Sequence, residues 1–292
     1  MHVKACEGDV SIDFFFNYNL TPMINRIIRM LKGYAWFKRL NARITYEALA
    51  KYIPASDWHF MNYGYIPKSC EDCIDISTAA RQRYPMQMYH YLASKTNIEG
   101  KQLLEVGSGR GGGAEYIVRS LKPAFYTGMD IASSAVTLAN KIHAAPNLKF
   151  IQGSAESIPL VDNSIDVVIN VESCHAYGCV PTFLSEVKRV LKPGGYLLLV
   201  DFRNSVENMK IFKDQLQTAG MECVEEENIS ENVIGAIEAE DESKKEMIRK
   251  LVPAKWQKLF GEFAGIVGSP FHTTLKDGVR QYYRFVLRKA VA

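Results

Sequence analysis

The sequence predicts an α/β fold built around a parallel sheet. Between Gln102 and Asp201, short apolar or β-branched runs alternate with segments of helical periodicity, which is the order that strands joined by crossover helices produce. The runs DVVINV and YLLLVD lack strict polar alternation, as expected when helices cover both faces of a sheet. A composition of 47% hydrophobic and 23% charged residues over 292 positions indicates a globular protein with a large core.

The elements follow one another in a regular order. Strands are predicted at QLLEV, AFYTGMD, LKFIQG, IDVVINV and GGYLLLVD, with helices between them at GAEYIVRSL, SSAVTLANKIH and PTFLSEVKRVL. After Asp201 come a helix to Gly220, a strand at CVEEENI, a polar helical stretch over about residues 230–270, and a closing strand at RQYYRFVLRK. Residues 1–85 carry helical and aromatic patterns without strand alternation. We therefore predict a helical N-terminal cap at 1–85 and an α/β domain at 86–292.

A glycine-rich loop follows the first predicted strand and opens a helix. Gly107, Gly109 and Gly111 leave backbone that a ligand can approach closely. Gly107, Gly109 and Gly112 also satisfy G-x-G-x-x-G, so an NAD-dependent oxidoreductase is one alternative. Two carboxylates oppose that alternative. Glu105, at the mouth of the first strand, repels a diphosphate and attracts an ammonium group, while Asp130 ends the second strand, where a carboxylate accepts bonds from ribose hydroxyls. The two carboxylates together indicate a ligand that combines a nucleoside with a positively charged group, which is S-adenosylmethionine.

Four segments in this order resemble the successive motifs of the class I S-adenosylmethionine-dependent methyltransferases: EVGSGRG, GMD, GSAESIPLVDNSIDVVINVES and VLKPGGYLLLVD. The resemblance implies a Rossmann-like, seven-stranded, mostly parallel sheet whose last strand is antiparallel. It implies that the backbone from Gly107 to Gly111 holds the methionine part of the cofactor, with Glu105 at its ammonium end and Asp130 on the ribose. Ile131, Asn170 and Val171 are expected beside the cofactor, because they follow or close the second and fourth strands.

The expected adenine contact departs from the pattern of the family. The family often has Gly-Asp-Ala in the loop after the third strand, where this sequence has Gly153, Ser154 and Ala155. A hydroxyl accepts a hydrogen bond with less charge assistance than a carboxylate, so Glu156 is expected to share the contact with Ser154.

The segment NYGY resembles the aromatic-glycine motif with which small-molecule methyltransferases close the methionine end of the cofactor. This resemblance makes Asn62 and Tyr65 candidate cofactor residues. Burial of both residues in an aromatic turn between cap and core is the alternative.

His175 and Asp201 are the candidate catalytic pair. A hydroxyl acceptor loses its proton during methyl transfer, and a neutral histidine is the commonest side chain for that task. His175 follows the fourth strand at the carboxyl edge of the sheet, where open α/β sheets bind ligands. Asp201 ends the fifth strand and is expected to orient the imidazole. As the alternative, Asp201 caps a loop and His175 only lines the pocket.

Longer segments resemble the phthiotriol and phenolphthiotriol dimycocerosate methyltransferases and related polyketide O-methyltransferases: FMNYGYI, GKQLLEVGSGRGGGAEYI, AFYTGMD, VINVESCHAYG, GIVGSP and YYRFVLRK. This resemblance covers about residues 58–289. It implies O-methylation of a hydroxyl on a hydrophobic small molecule, such as a polyketide, a lipid or a glycosylated natural product. N-methylation, C-methylation and a catalytically silent cofactor-binding subunit stay open as alternatives.

The net charge and the distribution of apolar residues limit the binding partners that the sequence predicts. A formal charge of +3 without a Lys/Arg-rich run argues against nucleic acid. Residues 11–37 are apolar but interrupted by charges, so no transmembrane segment is predicted. Ile24, Ile27, Ile28 and Leu31 recur there at helical spacing, which leaves peripheral membrane contact open beside packing within the protein. A homo-oligomer is also left open.

Cysteine usage favours a reducing cytoplasm, because six cysteines are few for this length and no secretory leader pattern precedes them. The one C-x-x-C, formed by Cys70 and Cys73, lacks a second pair of ligands for zinc. No ordered cluster of carboxylates or histidines in the sequence suggests a required magnesium ion, so we predict metal-independent methyl transfer. The aromatic N-terminal region and the stretch at 230–270 are candidate lids, since methyl transfer benefits from the exclusion of water.

Overall fold

The computed structural model describes residues 40, 58–69, 74 and 82–291. Most of the predicted cap at 1–85 lies outside the described residues, and so do the apolar stripe between Ile24 and Leu31 and the pair Cys70 and Cys73. The division into a cap and an α/β domain therefore stays a prediction. Its boundary at residue 85 falls inside the first described helix.

Seven strands form one sheet in the order β3-β2-β1-β4-β5-β7-β6. The neighbours from β3 to β5 pair in parallel, whereas β7 is antiparallel to both β5 and β6. This confirms the predicted seven-stranded sheet with an antiparallel last strand. The strands are β1 (Gln102–Val106), β2 (Phe125–Asp130), β3 (Leu148–Gln152), β4 (Ile165–Val171), β5 (Leu191–Arg203), β6 (Glu222–Asn228) and β7 (Gln281–Arg288).

Helices lie on both sides of this sheet, as the apolar strand pattern predicts. The helices are α1 (Arg83–Ala93), α2 (Gly112–Leu121), α3 (Ser133–Ile142), α4 (Val180–Val190), α5 (Val206–Thr218), α6 (Ser230–Leu251), α7 (Ala254–Phe263) and α8 (Pro270–Lys276), with one 3₁₀ turn at Cys174–Ala176. The polar stretch predicted as helical over 230–270 thus forms α6, α7 and the start of α8, between β6 and β7.

Two apolar cores fill the space on either side of the sheet. Successive residues of one strand enter different cores: Leu103 and Leu198 pack with α1, α2 and α6, whereas Leu104 and Leu199 pack with α4 and α5. Because both faces are buried, adjacent positions must both be apolar. This explains why the central strands show no polar alternation.

The outer edge of the sheet beyond β7 is formed by β6. Its residues are largely exposed, and it carries four glutamates: Glu222, Glu225, Glu226 and Glu227. Within the described ranges, no helix is long and apolar enough to cross a membrane.

Gly113 in α2 provides a test of the packing between α1 and α2. A Cβ at this position would lie 2.0 Å from the Tyr89 ring, so we expect Gly113→Ala to lower the free energy of unfolding by about 1–3 kcal/mol through overpacking. The control is Gly235→Ala in α6, where the new Cβ would lie 3.7 Å from Ile66. That variant should be neutral or stabilising by up to about 1 kcal/mol. Urea unfolding of both variants tests this, and equal midpoints would contradict it.

Candidate active site

A cleft of about 900 Å³, including its open mouth, lies at the carboxyl edge of the sheet. Its lining comes from the glycine loop, the ends of β2 and β4, the loop after β3 and the segment 59–62. The carboxyl ends of parallel strands meet at this edge because the crossover helices return the chain to the opposite edge.

The glycine loop provides space in the cleft because it lacks side chains, but the amides of Gly107 and Gly109 are not available to a ligand as donors. Gly107 and Gly109 line the cleft with φ values of 83° and 51°, in the left-handed region that favours glycine. A Cβ at Gly107 would lie 2.4 Å from Ser173 Oγ, whereas one at Gly109 would meet only Met61, at 3.7 Å. Both amides already donate within the protein, to Met129 O at 2.8 Å and to a carboxylate oxygen of Asp130 at 2.9 Å.

The third predicted glycine has a packing role instead. Gly111 does not line the cleft, and a Cβ there would lie 2.5 Å from the Phe150 ring. Gly112, the last glycine of the G-x-G-x-x-G spacing, and Gly113 do line it. At Gly112 and Gly113 a Cβ would lie 2.6 Å from the backbone of His59 and 2.0 Å from the Tyr89 ring, so these two glycines permit close packing as well.

Asp130 lies at the end of β2 and lines the cleft. Its carboxylate accepts hydrogen bonds from the amides of Gly109 and Ala132, both at 2.9 Å. These two bonds hold the carboxylate in a fixed orientation at the end of β2. The arrangement suits a ligand that presents hydroxyl groups, as the sequence predicts for ribose. Ile131 lines the cleft beside it.

The loop after β3 brings Ser154, Ala155 and Glu156 to the same cleft. Ser154 Oγ accepts a bond from the Glu156 amide at 3.2 Å, and Glu156 Oε1 accepts one from the Cys179 amide at 3.1 Å. Both polar side chains are thus held in place, and both remain candidates for the adenine contact.

The NYGY segment contributes one of its two predicted residues. Asn62 lines the cleft, donates to Pro85 O at 3.1 Å and accepts from the Gly64 amide at 2.9 Å. Tyr65 does not line it; its ring stacks on Tyr91 with centroids 4.0 Å apart. Tyr65 thus matches the burial alternative.

Glu105 lies beneath the cleft, with no exposed surface. Its two oxygens accept from the hydroxyls of Tyr89 at 2.7 Å and Tyr126 at 3.0 Å. Burial raises the pKa of Glu105 to about 7, although the two tyrosine bonds oppose this shift. Of these three residues only Tyr89 lines the cleft, so Tyr89 lies between Glu105 and any ligand in the cleft. Nothing in the sequence distinguishes Tyr89 from the other aromatic residues.

At the end of β4, Val171 lines the cleft and Asn170 does not. Asn170 is fully buried and its Nδ2 donates to Val106 O at 2.9 Å, with the hydroxyls of Ser173 and Tyr177 at the same distance. Asn170 therefore ties the end of β4 to the end of β1 and positions the loop that follows.

His175 and Asp201 are brought together at the 3₁₀ turn after β4. His175 Nδ1 lies 2.7 Å from Asp201 Oδ1, and the His175 amide donates to Asp201 Oδ2 at 2.8 Å. His175 Nε2 makes no hydrogen bond within the described part of the chain. The His175 side chain is 7% exposed and lies outside the cleft lining, although its neighbours Ser173 and Ala176 are part of that lining.

The surroundings of Asp201 keep its carboxyl ionised. Burial alone would raise the pKa of Asp201, but the charges of His175 and Arg203 and the hydrogen bonds from His175 and Cys174 outweigh burial and lower it well below the usual range. Arg203 Nη1 lies 3.4 Å and Cys174 Sγ 2.8 Å from Asp201 Oδ2. The pair can therefore stabilise a positive charge on the imidazole.

Glu172 is a site residue that sequence reasoning missed. It lines the cleft directly after β4, is buried, and has a φ of 47°. Its Oε1 accepts bonds from the Tyr63 amide at 2.8 Å and from the Tyr282 hydroxyl. The quoted segment INVES contains it, but its burial depends on residues about 110 positions away, which no local pattern indicates.

The charges of the lining suit a nucleoside with a positive group better than a diphosphate. Asp130, Glu156 and Glu172 line the cleft with one guanidinium, Arg110, whose Nη1 donates to Trp58 O at 3.1 Å. No group of three or more His, Cys, Asp or Glu residues able to hold a metal ion occurs among the residues that the structure describes. The seven-stranded sheet and this cleft define a class I S-adenosylmethionine-dependent methyltransferase.

Comparison with known proteins agrees with this class. A family model described as a methyltransferase domain matches residues 104–199. The phthiotriol/phenolphthiotriol dimycocerosates methyltransferase of Mycobacterium tuberculosis is 32% identical over 247 residues, covering 85% of this chain and 91% of that protein. The chain therefore belongs to the class I methyltransferase family that includes the phthiotriol/phenolphthiotriol dimycocerosates methyltransferases.

Two further proteins are similar to this chain, one in sequence and one in structure. A fatty-acid O-methyltransferase of Mycolicibacterium smegmatis is 33% identical over 254 residues, covering 81% of this chain and 89% of that protein. The crystal structure of a geranyl diphosphate C-methyltransferase of Streptomyces coelicolor, in complex with Mg²⁺, geranyl diphosphate and S-adenosylhomocysteine, has a TM-score of 0.62 at 12% identity and covers 87% of this chain and 98% of its own. The second likeness shows the shared fold alone.

Asp130→Asn tests the proposed ribose contact. Loss of the charged acceptor should weaken S-adenosylhomocysteine binding by about 10- to 100-fold, since hydrogen bonds to charged groups are worth about 1.5–3 kcal/mol. Isothermal titration calorimetry measures this. The control, Asp162→Asn, changes an exposed carboxylate paired with Arg189 and should leave binding unchanged. Equal affinities for both variants would contradict the contact.

The raised pKa of Glu105 predicts a pH dependence of stability. Between pH 4.5 and about 7 the folded protein keeps a proton that the unfolded chain has lost, so this group makes stability fall as pH rises across the window, by about 3 kcal/mol. Glu105→Gln should remove that part of the slope. Urea unfolding at pH 4 and pH 8 measures it, and an unchanged slope in the variant would exclude a raised pKa at Glu105.

Proposed function

We propose that the protein transfers a methyl group from S-adenosylmethionine to a hydroxyl on a hydrophobic small molecule, such as a polyketide, a lipid or a glycosylated natural product. One observation carries this proposal: His175 Nδ1 lies 2.7 Å from the buried carboxylate of Asp201, while Nε2 makes no hydrogen bond within the described residues. This is the arrangement of a histidine that is oriented to accept a proton.

The chemistry assigns separate roles to the two residues. S-adenosylmethionine supplies an electrophilic methyl group on its sulfonium. Asp201 accepts the Nδ1–H of His175, so Nε2 would be the atom that takes the hydroxyl proton while the bond between the acceptor oxygen and the methyl carbon forms and the sulfur–methyl bond breaks. The Asp201 carboxylate then stabilises the imidazolium, and S-adenosylhomocysteine is the product.

The cofactor contacts are proposed from the residues that line the cleft. Asp130 binds the ribose, and Ser154 with Glu156 binds the adenine. Asn62, Gly107, Gly109 and Val171 enclose the methionine part. Support for this direction comes from the sheet order, in which β2 and β3 lie on one side of β1 and β4 lies on the other.

The preference for a hydrophobic acceptor is supported by the aromatic side chains beside His175. The Phe202 ring lies 4.3 Å from the His175 ring, and Phe271 packs against Phe202 with centroids 5.0 Å apart. Tyr63 stacks on Phe271 at 3.8 Å. Such a wall excludes water from the reacting atoms. The printed names of the relatives, which refer to dimycocerosates and fatty acids, agree with a lipid-like acceptor.

N-methylation and C-methylation stay as alternatives, because an amine needs less help from a base and a carbon acceptor uses an activated π-system. The comparisons give no support to an NAD-dependent oxidoreductase. Independence of a metal, a cytoplasmic location, peripheral membrane contact and a homo-oligomer remain predictions from the sequence.

Replacement of His175 tests the proposed base. With long-chain alcohols and phenols as acceptors, His175→Gln should lower turnover by about 10²- to 10⁴-fold, with little change in S-adenosylhomocysteine binding. An acceptor that is already ionised, such as a fatty-acid carboxylate, should lose far less. The control is His90→Gln, since His90 bonds the Tyr116 hydroxyl outside the cleft. Full turnover of a hydroxyl acceptor by His175→Gln would refute this role.

A further inference from the structure

We propose that Glu172 determines the charge preference of the cofactor site: its carboxylate favours the positively charged sulfonium of S-adenosylmethionine over the neutral thioether of S-adenosylhomocysteine. This proposal concerns cofactor binding only and does not depend on which acceptor atom is methylated.

The backbone at Glu172 is strained. Its φ of 47° lies in the left-handed region, which glutamate rarely adopts. The Glu172 amide donates to Val200 O at 2.8 Å, so the conformation is fixed by the neighbouring strand β5. Strained residues held in this way are concentrated at functional sites.

Glu172 lies at the end of the cleft where the sulfur is expected. Asp130 on β2 and Ser154 after β3 mark the nucleoside end, and β1 separates these strands from β4. Glu172 follows β4 directly. A cofactor whose ribose lies at Asp130 therefore extends its sulfur and methionine part toward Glu172.

The Glu172 carboxyl has one oxygen held by the protein and one oxygen available. Oε1 accepts from the Tyr63 amide and the Tyr282 hydroxyl. Oε2 accepts no hydrogen bond within the described part of the chain, and the residue lines the cleft. The group is thus fixed in position but able to interact with a ligand.

Burial makes the charge of this carboxyl responsive to a ligand. Burial raises the pKa of Glu172 to about 8; the bonds from Tyr282 and the Tyr63 amide lower it, Asp201 raises it and Lys244 lowers it. Tyr89 on α1 is the other titratable group that interacts with it. A cation in the cleft favours the ionised form, so a sulfonium is bound with release of a proton, whereas a thioether provides no such gain.

This arrangement has a consequence for turnover. Methyl transfer converts the sulfonium into a thioether, so the attraction to Glu172 is lost at the moment of product formation. Glu172 would therefore promote exchange of product for substrate without contacting the acceptor.

Calorimetric titration with S-adenosylmethionine and S-adenosylhomocysteine, without an acceptor, tests the proposal. In the unmodified protein, the affinity ratio in favour of S-adenosylmethionine should rise about tenfold between pH 6.5 and 8.5. In Glu172→Gln the ratio should fall about tenfold at pH 8.5 and lose its pH dependence. Effects of Glu105 cancel in this ratio, because both compounds carry the same ammonium group. Sinefungin, which has an amine in place of the sulfonium, should follow S-adenosylmethionine.

A matched control separates charge recognition from general binding. Glu156→Gln changes another carboxyl of the cleft, at the nucleoside end, and should weaken both compounds by the same factor. If Glu172→Gln also weakens both equally, Glu172 has only a structural role and the proposal is overturned.

A second variant covers the case in which Glu172→Gln does not fold. Tyr282→Phe removes a hydrogen bond that lowers the pKa of Glu172, so the midpoint of the pH dependence should move about one unit higher. A midpoint that stays in place or moves lower would overturn the proposal. Because no acceptor is present, neither result bears on O-methylation.

Discussion

Asp201 has no exposed surface, yet its carboxyl group is ionised. A buried carboxylate is tolerable only when donors surround it, and here they come from the residues next to it in the fold: the amides of His175 and Phe202 at 2.8 Å, the His175 ring, and the Cys174 thiol. Satisfying this one group fixes the 3₁₀ turn after β4 against the end of β5. The hydrogen bonds that the buried Asp201 carboxylate requires therefore also fix the orientation of the His175 imidazole.

Two regions with different proposed roles lie at the carboxyl edge of the sheet. Strands β1, β2 and β4 and the loop after β3 form the cleft that we propose for the cofactor. The proposed acceptor side is formed by Tyr63, Phe202 and Phe271, which come from three separate parts of the chain. Since fold alone does not determine a reaction, differences in acceptor among relatives are expected to lie in this second set of residues.

Sequence analysis predicted the sheet well because apolar runs, turn residues and glycine spacing are local properties. It also predicted that Asp130 and the pair His175 and Asp201 follow or end strands at the carboxyl edge, where the structure places them, since strand ends of a parallel sheet meet at one edge. Sequence analysis did not predict contacts of buried side chains with residues that are distant in the sequence. Glu105 was expected at the ammonium end of the cofactor, directly or through water; the structure places Tyr89 and Tyr126 on its two oxygens, and no local pattern indicates which tyrosines surround a given carboxylate.

The same limit explains two other differences. Tyr65 was expected at the cofactor, yet the position of Tyr91 on α1 draws its ring into a stack. Gly111 has the spacing of a ligand-binding glycine but accommodates the ring of Phe150. Glycine spacing shows where side chains are excluded, and only the folded packing shows whether a ligand or a neighbouring ring occupies the space.

The acidic edge strand β6 affects how the molecule behaves in concentrated solution. Among the described residues, Glu225 and Glu227 share Arg284, Glu226 pairs with Lys213, and Lys95 also acts electrostatically on Glu227. A second molecule that tried to extend the sheet at β6 would bring one negatively charged row against another. This repulsion discourages strand-by-strand aggregation at the edge that β7 leaves uncovered.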